Sequence, residues 1–170
     1  MTARHVVLPS PIGDLTVVAT EAGISHLLMD AAKYRPADPE VFGPPAPLDE
    51  EPFASAAGQL EAYFAGELRD FDLPLAPHGD AFHQRVWSRL REIPYGETRT
   101  YGDLARALGD RNLAQAVGTA NGRNPIAIVV PCHRVIGSDG SLVGYAGGLD
   151  RKRFLLALEE PAAGEAGRLF

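Results

Sequence analysis

Five prolines stand between Pro36 and Pro47, in the stretch AAKYRPADPEVFGPPAPLDEE, and no regular element can cross them. Each proline removes a backbone donor and fixes φ, so neither a helix interior nor a paired strand tolerates them at this density. The stretch is a connector, and the chain on its two sides must fold as separate runs of secondary structure. A second extended connector, DFDLPLAPHGD, follows at residues 70–80.

Upstream of the prolines, residues 4–29 are rich in β-branched and apolar residues, with turn signals at Ser10 to Gly13 and Glu21 to Gly23, and read as strands. Downstream, a helix from about Pro52 puts Phe53, Ala56, Ala57, Leu60, Tyr63 and Phe64 on one face. Past the second connector, AFHQRVWSRLREIP spaces Phe82, Val86, Trp87 and Leu90 as a helix that stops before Pro94. Thr100, with Asp103 three residues on, predicts a capped helix ending at Gly109. NLAQAVGTANG predicts another short helix, with Asn112 as its cap. Split by Gly109-Asp110-Arg111, this pair has the shape of a helix-turn-helix, a pattern that two packed core helices also satisfy. Ser138-Asp139-Gly140 reads as a hairpin turn. LDRKRFLLALEE reads as a last amphipathic helix, with Leu149, Phe154, Leu155 and Leu158 inward and Arg151, Lys152 and Arg153 outward. The expected fold is α/β (α+β). An N-terminal α/β domain over 1–78 carries a β-sheet with a helix, a mostly helical domain spans 79–160, and 161–170 is a disordered tail.

Net charge is −6, which argues against nucleic acid until its distribution is considered. Residues 1–80 carry four Lys/Arg against thirteen Asp/Glu, and residues 81–158 carry eleven against six. The asymmetry points to one acidic and one basic functional region, though two solvated surfaces give the same count. No run approaches the roughly 18 apolar residues of a membrane span. The N-terminus lacks a signal-peptide apolar stretch, so a cytoplasmic protein with no membrane partner is expected. One cysteine excludes an internal disulfide and any multi-cysteine zinc site, and the five histidines lack ligand spacing. No metal and no cofactor are expected.

That cysteine, Cys132, closes the apolar run Ile126 to Val130 after Pro131, and His133 and Arg134 follow it. A lone cysteine in such a place is most often a small buried hydrophobe. An imidazole and a guanidinium beside it both stabilise a thiolate, the reactive form, and with a base at hand a thiolate is a nucleophile. Adjacent residues on an extended segment face opposite ways, so the pair needs a water between them or a sharp turn after Pro131.

PCHRVIG, preceded by NGRNPIAIVV and followed by GYAGGLDRKRFLLALE, resembles the signature of the O6-alkylguanine-DNA alkyltransferases, the methylated-DNA–protein-cysteine methyltransferases. The likeness extends back through YGETRTYGDLARALG to cover about residues 81–160, and SPIGDLTVVATEAGI resembles the family's more variable N-terminal domain. The resemblance implies direct, single-turnover DNA repair. The partner is double-stranded alkylated DNA, bound through its minor groove, and the protein is monomeric when free, with cooperative assembly on DNA left open. The damaged base is flipped out, and Cys132 takes the alkyl group from O6-alkylguanine, with O4-alkylthymine a further candidate. It assigns His133 as the base acting through a water, Glu159 as its orienter, Asn124 as the brace of the cysteine turn, and Tyr101 as the residue that turns the nucleotide out. Gln115, Ala116, Thr119, Asn121, Gly122, Arg123 and Arg134 would contact DNA, while Val135, Tyr145 and Ala146 would form the base pocket. Small residues at Ala114, Ala116, Gly118, Ala120 and Gly122 keep the second helix of the pair narrow. The chain departs from the family where Gln115 replaces the usual arginine finger, where Ala146 replaces a serine found in some members, and where Phe154 replaces a common tryptophan. Three rivals stay in view: a module that binds alkylated DNA without repairing it, which Cys132 argues against, a Cys-His-Glu hydrolase with turnover, and a transcriptional regulator acting through the helix-turn-helix, against which the lack of a second DNA-binding or metal domain in the sequence speaks.

Overall fold

The structure is a computed structural model, and it describes residues 2–33, 35–36 and 38–160. Strands β1 (Arg4–Leu8), β2 (Leu15–Thr20) and β3 (Gly23–Met29) form an antiparallel sheet in that order. Helix α1 (Phe53–Phe64) packs on β1 and β2 through Phe53, Ala56, Leu60 and Tyr63, all buried. Ala57 and Phe64, expected on that face, are only partly covered.

Gly23 opens β3 at φ +136°, and a β-carbon there would meet the Pro74 carbonyl oxygen at 2.9 Å. Gly23→Ala combines a backbone conformation that L-residues avoid with a clash against backbone. It is expected to cost about 1–3 kcal/mol, read as a lowered urea midpoint; an unchanged midpoint would show that the β2–β3 turn relaxes freely.

The outer edge of β3 is not left open. The Ile24 amide donates to the Pro74 carbonyl at 2.8 Å, the Leu27 amide donates to the Pro125 carbonyl at 2.9 Å, and the Ala127 amide donates back to Leu27 at 3.1 Å. The second connector and the segment leading to Cys132 are thus laid along the sheet, occupying an edge that would otherwise invite another strand.

The C-terminal half contains α2 (Ala81–Arg91), β4 (Arg99–Thr100), α3 (Tyr101–Ala107), α4 (Ala114–Gly122), β5 (Val135–Ile136) and α5 (Leu149–Glu159). Thr100 and Asp103 form the expected reciprocal capping box on α3. Trp87 of α2 donates its indole N–H to the Ala120 carbonyl of α4 at 2.9 Å, fixing the helix pair to the core. One apolar cluster runs through both halves, joining Leu27, Tyr63, Trp87, Val117 and Leu155. Among the described residues, no helix is long and apolar enough to cross a membrane.

Three local expectations are corrected. Asn112 does not cap α4: Asp110 accepts from the Asn112 amide at the start of a 3-10 turn, and α4 begins without a side-chain cap. Ser138 to Gly140 do turn, with the Gly137 amide bonded to the Ser141 carbonyl, but no hairpin forms, because β5 pairs in parallel with β4 instead. The buried face of α5 is Lys152, Leu155 and Glu159, while Leu149 and Phe154 are exposed. Residues 161–170, expected to form a disordered tail, lie outside the described residues.

Candidate active site

The apolar run before Cys132 is not a strand. After the Leu27–Ile126 bridge the chain turns, and Ile128 takes φ +71° while buried. A β-branched residue is strained there, and it holds that conformation because its surroundings over-determine it. Asn124 supplies the restraint. Its amide donates to the Val130 carbonyl at 2.7 Å, and its oxygen accepts from the Ile126 amide at 3.0 Å. Cys132, His133 and Arg134 then form a single 3-10 turn, the sharp turn after Pro131 that was one of the two arrangements expected from the sequence. The parallel pairing of β5 with β4 joins the end of this turn to the start of α3, where Tyr101 stands.

Glu159 of α5 is the electrostatic centre. One carboxylate oxygen accepts from His133 Nε2 at 2.7 Å and from the Tyr63 hydroxyl at 2.6 Å, and the other accepts from Arg134 Nε at 2.7 Å. Burial alone would raise the glutamate's pKa, but these donors hold it down at about 2. The carboxylate is therefore ionised and can only accept, so His133 Nε2 carries the hydrogen. Burial outweighs the pull of Glu159 and lowers the His133 pKa, keeping the imidazole neutral. Its Nδ1 is left as a buried lone pair with no partner among the described residues. A neutral imidazole oriented by a carboxylate is the form a general base needs.

Cys132 is buried, and desolvation pushes its thiol pKa up against the opposing effects of Asn124, Lys152 and Tyr145. It rests as a thiol and requires a base to become a nucleophile. Lys152, fully buried, donates to the carbonyls of Val143 and Gly144 at 3.1 and 3.3 Å. Its pKa is lowered by burial to about 8, with the cysteine acting in the opposite sense. Cys132 lines a cavity of about 310 Å³, together with Asn124, Tyr145 and Ala146 from the C-terminal half and Met29 and Lys33 from the N-terminal half. Among the described residues, the buried side-chain polar atoms without a partner are Asn121 Oδ1, His133 Nδ1 and the Tyr145 hydroxyl. All three flank the cysteine turn: Asn121 donates to the Cys132 carbonyl at 3.4 Å, and Tyr145 and Cys132 perturb each other's ionisation. The Tyr145 hydroxyl is within hydrogen-bonding reach of the Cys132 thiol and Asn121 within reach of Tyr101, so the His133 Nδ1 lone pair is the group left to accept a proton beside the cysteine.

Cys132, His133, Glu159, Asn124, Tyr145 and Ala146 thus converge. Tyr101 is half-buried, its ring lies 3.8 Å from the position of a β-carbon on Gly118, and its hydroxyl donates to the Val143 carbonyl at 3.1 Å. Gln115, Ala116, Thr119 and Arg123 are exposed at the spacing of one helix face, and Gly122 is partly covered. Two expectations fail. Arg134 does not face DNA: it is 6% exposed, committed to Glu159 and to the Ile93 carbonyl. Asn121 is buried beneath α4 rather than on its outer face. Val135 is buried in β5 with its amide bonded to the Cys132 carbonyl, so only its backbone carbonyl is left to read a base edge. The sequence reading also missed Tyr63 and Lys152. Tyr63 carries no sequence signal beyond a core aromatic, and Lys152 sits inside a basic run that reads as solvated.

Two family models match the chain: 6-O-methylguanine DNA methyltransferase, ribonuclease-like domain, over residues 4–77, and 6-O-methylguanine DNA methyltransferase, DNA binding domain, over residues 81–161. A methylated-DNA–protein-cysteine methyltransferase of Methanosarcina acetivorans is 50% identical over 155 residues, covering 91% of this chain and 97% of the relative. The chain belongs to this family. A member from Mycolicibacterium paratuberculosis is 53% identical over 152 residues, with 88% of each chain covered. Among solved members, the Mycobacterium tuberculosis O6-methylguanine methyltransferase superposes with a TM-score of 0.84 at 46% identity, covering 98% of this chain and 99% of that one. Mycobacterium tuberculosis OGT in complex with DNA also gives 0.84, at 49% identity, covering 94% and 93%.

Proposed function

We propose that this protein repairs DNA by moving an alkyl group from O6-alkylguanine in a duplex to its own Cys132, once per molecule. The observation that carries the reading is the buried thiol beside an unpartnered His133 Nδ1, whose ring is fixed by Glu159. The thiol proton passes to Nδ1 through a bridging water. The sulfur attacks the alkyl carbon in line with its bond to O6, whose electron pair leaves with guanine, and the Tyr101 hydroxyl exchanges the Val143 carbonyl for the departing ring as its acceptor. The product is a thioether, which has no good leaving group, so the molecule does not turn over. This single event separates the reading from a Cys-His-Glu hydrolase.

The reacting atom is held inside the duplex, so the base must leave the stack to reach a buried sulfur. The exposed face of α4 with Gln115, Ala116, Thr119 and Arg123 supports docking of the α3–α4 helix-turn-helix in the minor groove, about 6 Å wide, where small residues allow close approach. Gln115 fills the gap left by the base, and Tyr101 at the start of α3 turns the nucleotide outward. The protein acts as a monomer when free, in a cytoplasm reducing enough to keep the acceptor a thiol.

Mixed with a duplex containing O6-methylguanine, the intact protein should gain one methyl group, about 14 Da for an S-alkylation, mapped to Cys132. Multiple turnovers, or repaired DNA beside an unmodified Cys132, would overturn the mechanism.

A further inference from the structure

Besides lining the cavity, the N-terminal half bonds directly to the Glu159 carboxylate. Tyr63 of α1 is fully buried, and its hydroxyl donates at 2.6 Å to the same Glu159 oxygen that accepts from His133 at 2.7 Å and from Arg134 Nη2 at 3.1 Å. Its ring is wedged by Phe64 and Phe71, both with centroids at 5.3 Å, and by Tyr95 at 6.4 Å, so the hydroxyl cannot swing away. Burial and the Glu159 charge push the phenol pKa far up, so it is a permanent donor.

A carboxylate oxygen shared by three donors attracts each of them less than an oxygen serving one. The Tyr63 dipole therefore weakens the pull of Glu159 on the His133 N–H and reduces the stabilisation of an imidazolium. We infer that Tyr63 is a positioning residue for the alkyl-transfer reaction, through which the N-terminal half sets the orientation and basicity of His133 by way of Glu159. The inference rests on the alkyl-transfer reading for its consequence, but its geometry does not depend on it. The charged and titratable groups that act on His133 are Glu159 and Lys152 on α5 and Arg134 on its own turn, with Cys132 adjacent in the chain and Tyr63 reaching Glu159 from α1.

Tyr63→Phe removes the hydroxyl and keeps the ring. The imidazole should then become more basic, because Glu159 has lost a competing donor. His133, followed by imidazole nitrogen NMR in the DNA-free protein, should titrate about one pH unit higher in the variant. The acid limb of single-turnover methyl transfer from duplex DNA should move up with it, so that the rate near the inflection falls several-fold. If Tyr63 only packs the two halves together, Tyr63→Phe leaves both curves where they were. Identical His133 titrations in the two proteins, or a ring that stays neutral across the folded range in both, overturn the inference. A shifted titration in a protein whose wild type accepts no methyl group would uphold the coupling through Glu159 and reject the alkyl-transfer reading.

Discussion

Cys132→Ala is expected to abolish alkyl transfer while leaving binding to alkylated duplex intact. The chain has one thiol, and no other described side chain combines nucleophilic chemistry with the oriented lone pair of His133. The exposed residues Gln115, Ala116 and Thr119 of α4 do not line the cavity that holds Cys132, so the loss falls on the chemical step. Removing a nucleophile costs on the order of 10⁴-fold or more, which places the residual rate below detection. The smaller side chain leaves a void bordering an existing cavity, so the fold should lose only about 1 kcal/mol. Single-turnover repair together with duplex binding by anisotropy checks both halves of the expectation. An alkyl group that still leaves the DNA would mean that another residue accepts it. Equal loss of binding would mean that the cysteine turn shapes the DNA surface.

Arg134→Met is expected to be the most damaging change to stability. The guanidinium and the Glu159 carboxylate are 7% and 2% exposed, and their closest contact is 2.7 Å. Removing one member of a buried pair leaves the other charge poorly compensated, at about 3–5 kcal/mol. For a chain of this size the melting temperature should fall on the order of 10 °C. The pH dependence identifies the cause. Glu159 titrates at about 2 in the folded protein against an ordinary 4.5. Its contribution is therefore complete above about pH 4.5 and is lost as pH falls toward 2. Wild type and variant should differ most near neutrality and converge in acid. A gap in urea midpoints that stays constant down to pH 3 would assign the loss to packing over Tyr95, where the guanidinium also lies at 5.7 Å.

How much of this was legible beforehand differs by element. β1 to β3, α1, α2 and the Thr100–Asp103 cap follow from local pattern: β-branched apolar runs between turn signals, helical spacing, proline stops and a capping box act within a few residues. Asn112 was misread as a cap because Asp110, two residues earlier, takes that role one turn sooner: it accepts from the Asn112 amide and so places Asn112 inside a 3-10 turn that runs on into α4. Phe154 was placed inward because a large aromatic in a basic run reads as core; α5 instead turns Lys152, Leu155 and Glu159 inward, and Phe154 lies only 6.4 Å from Phe64 at the rim.

By itself, the sequence determined the three N-terminal strands and the helices, where proline separates them, and which thiol is the candidate acceptor, because each of these depends on neighbours along the chain. The tertiary structure alone decided which charges are buried. Arg134, Lys152 and Glu159 pattern as surface residues, yet each satisfies groups from another part of the chain: Glu159 the donors His133, Arg134 and Tyr63, Lys152 the carbonyls of Val143 and Gly144, and Arg134 the Ile93 carbonyl. A buried charge is tolerable only when such partners converge on it, and convergence of residues as distant as Tyr63 and Glu159 is a property of the packed chain.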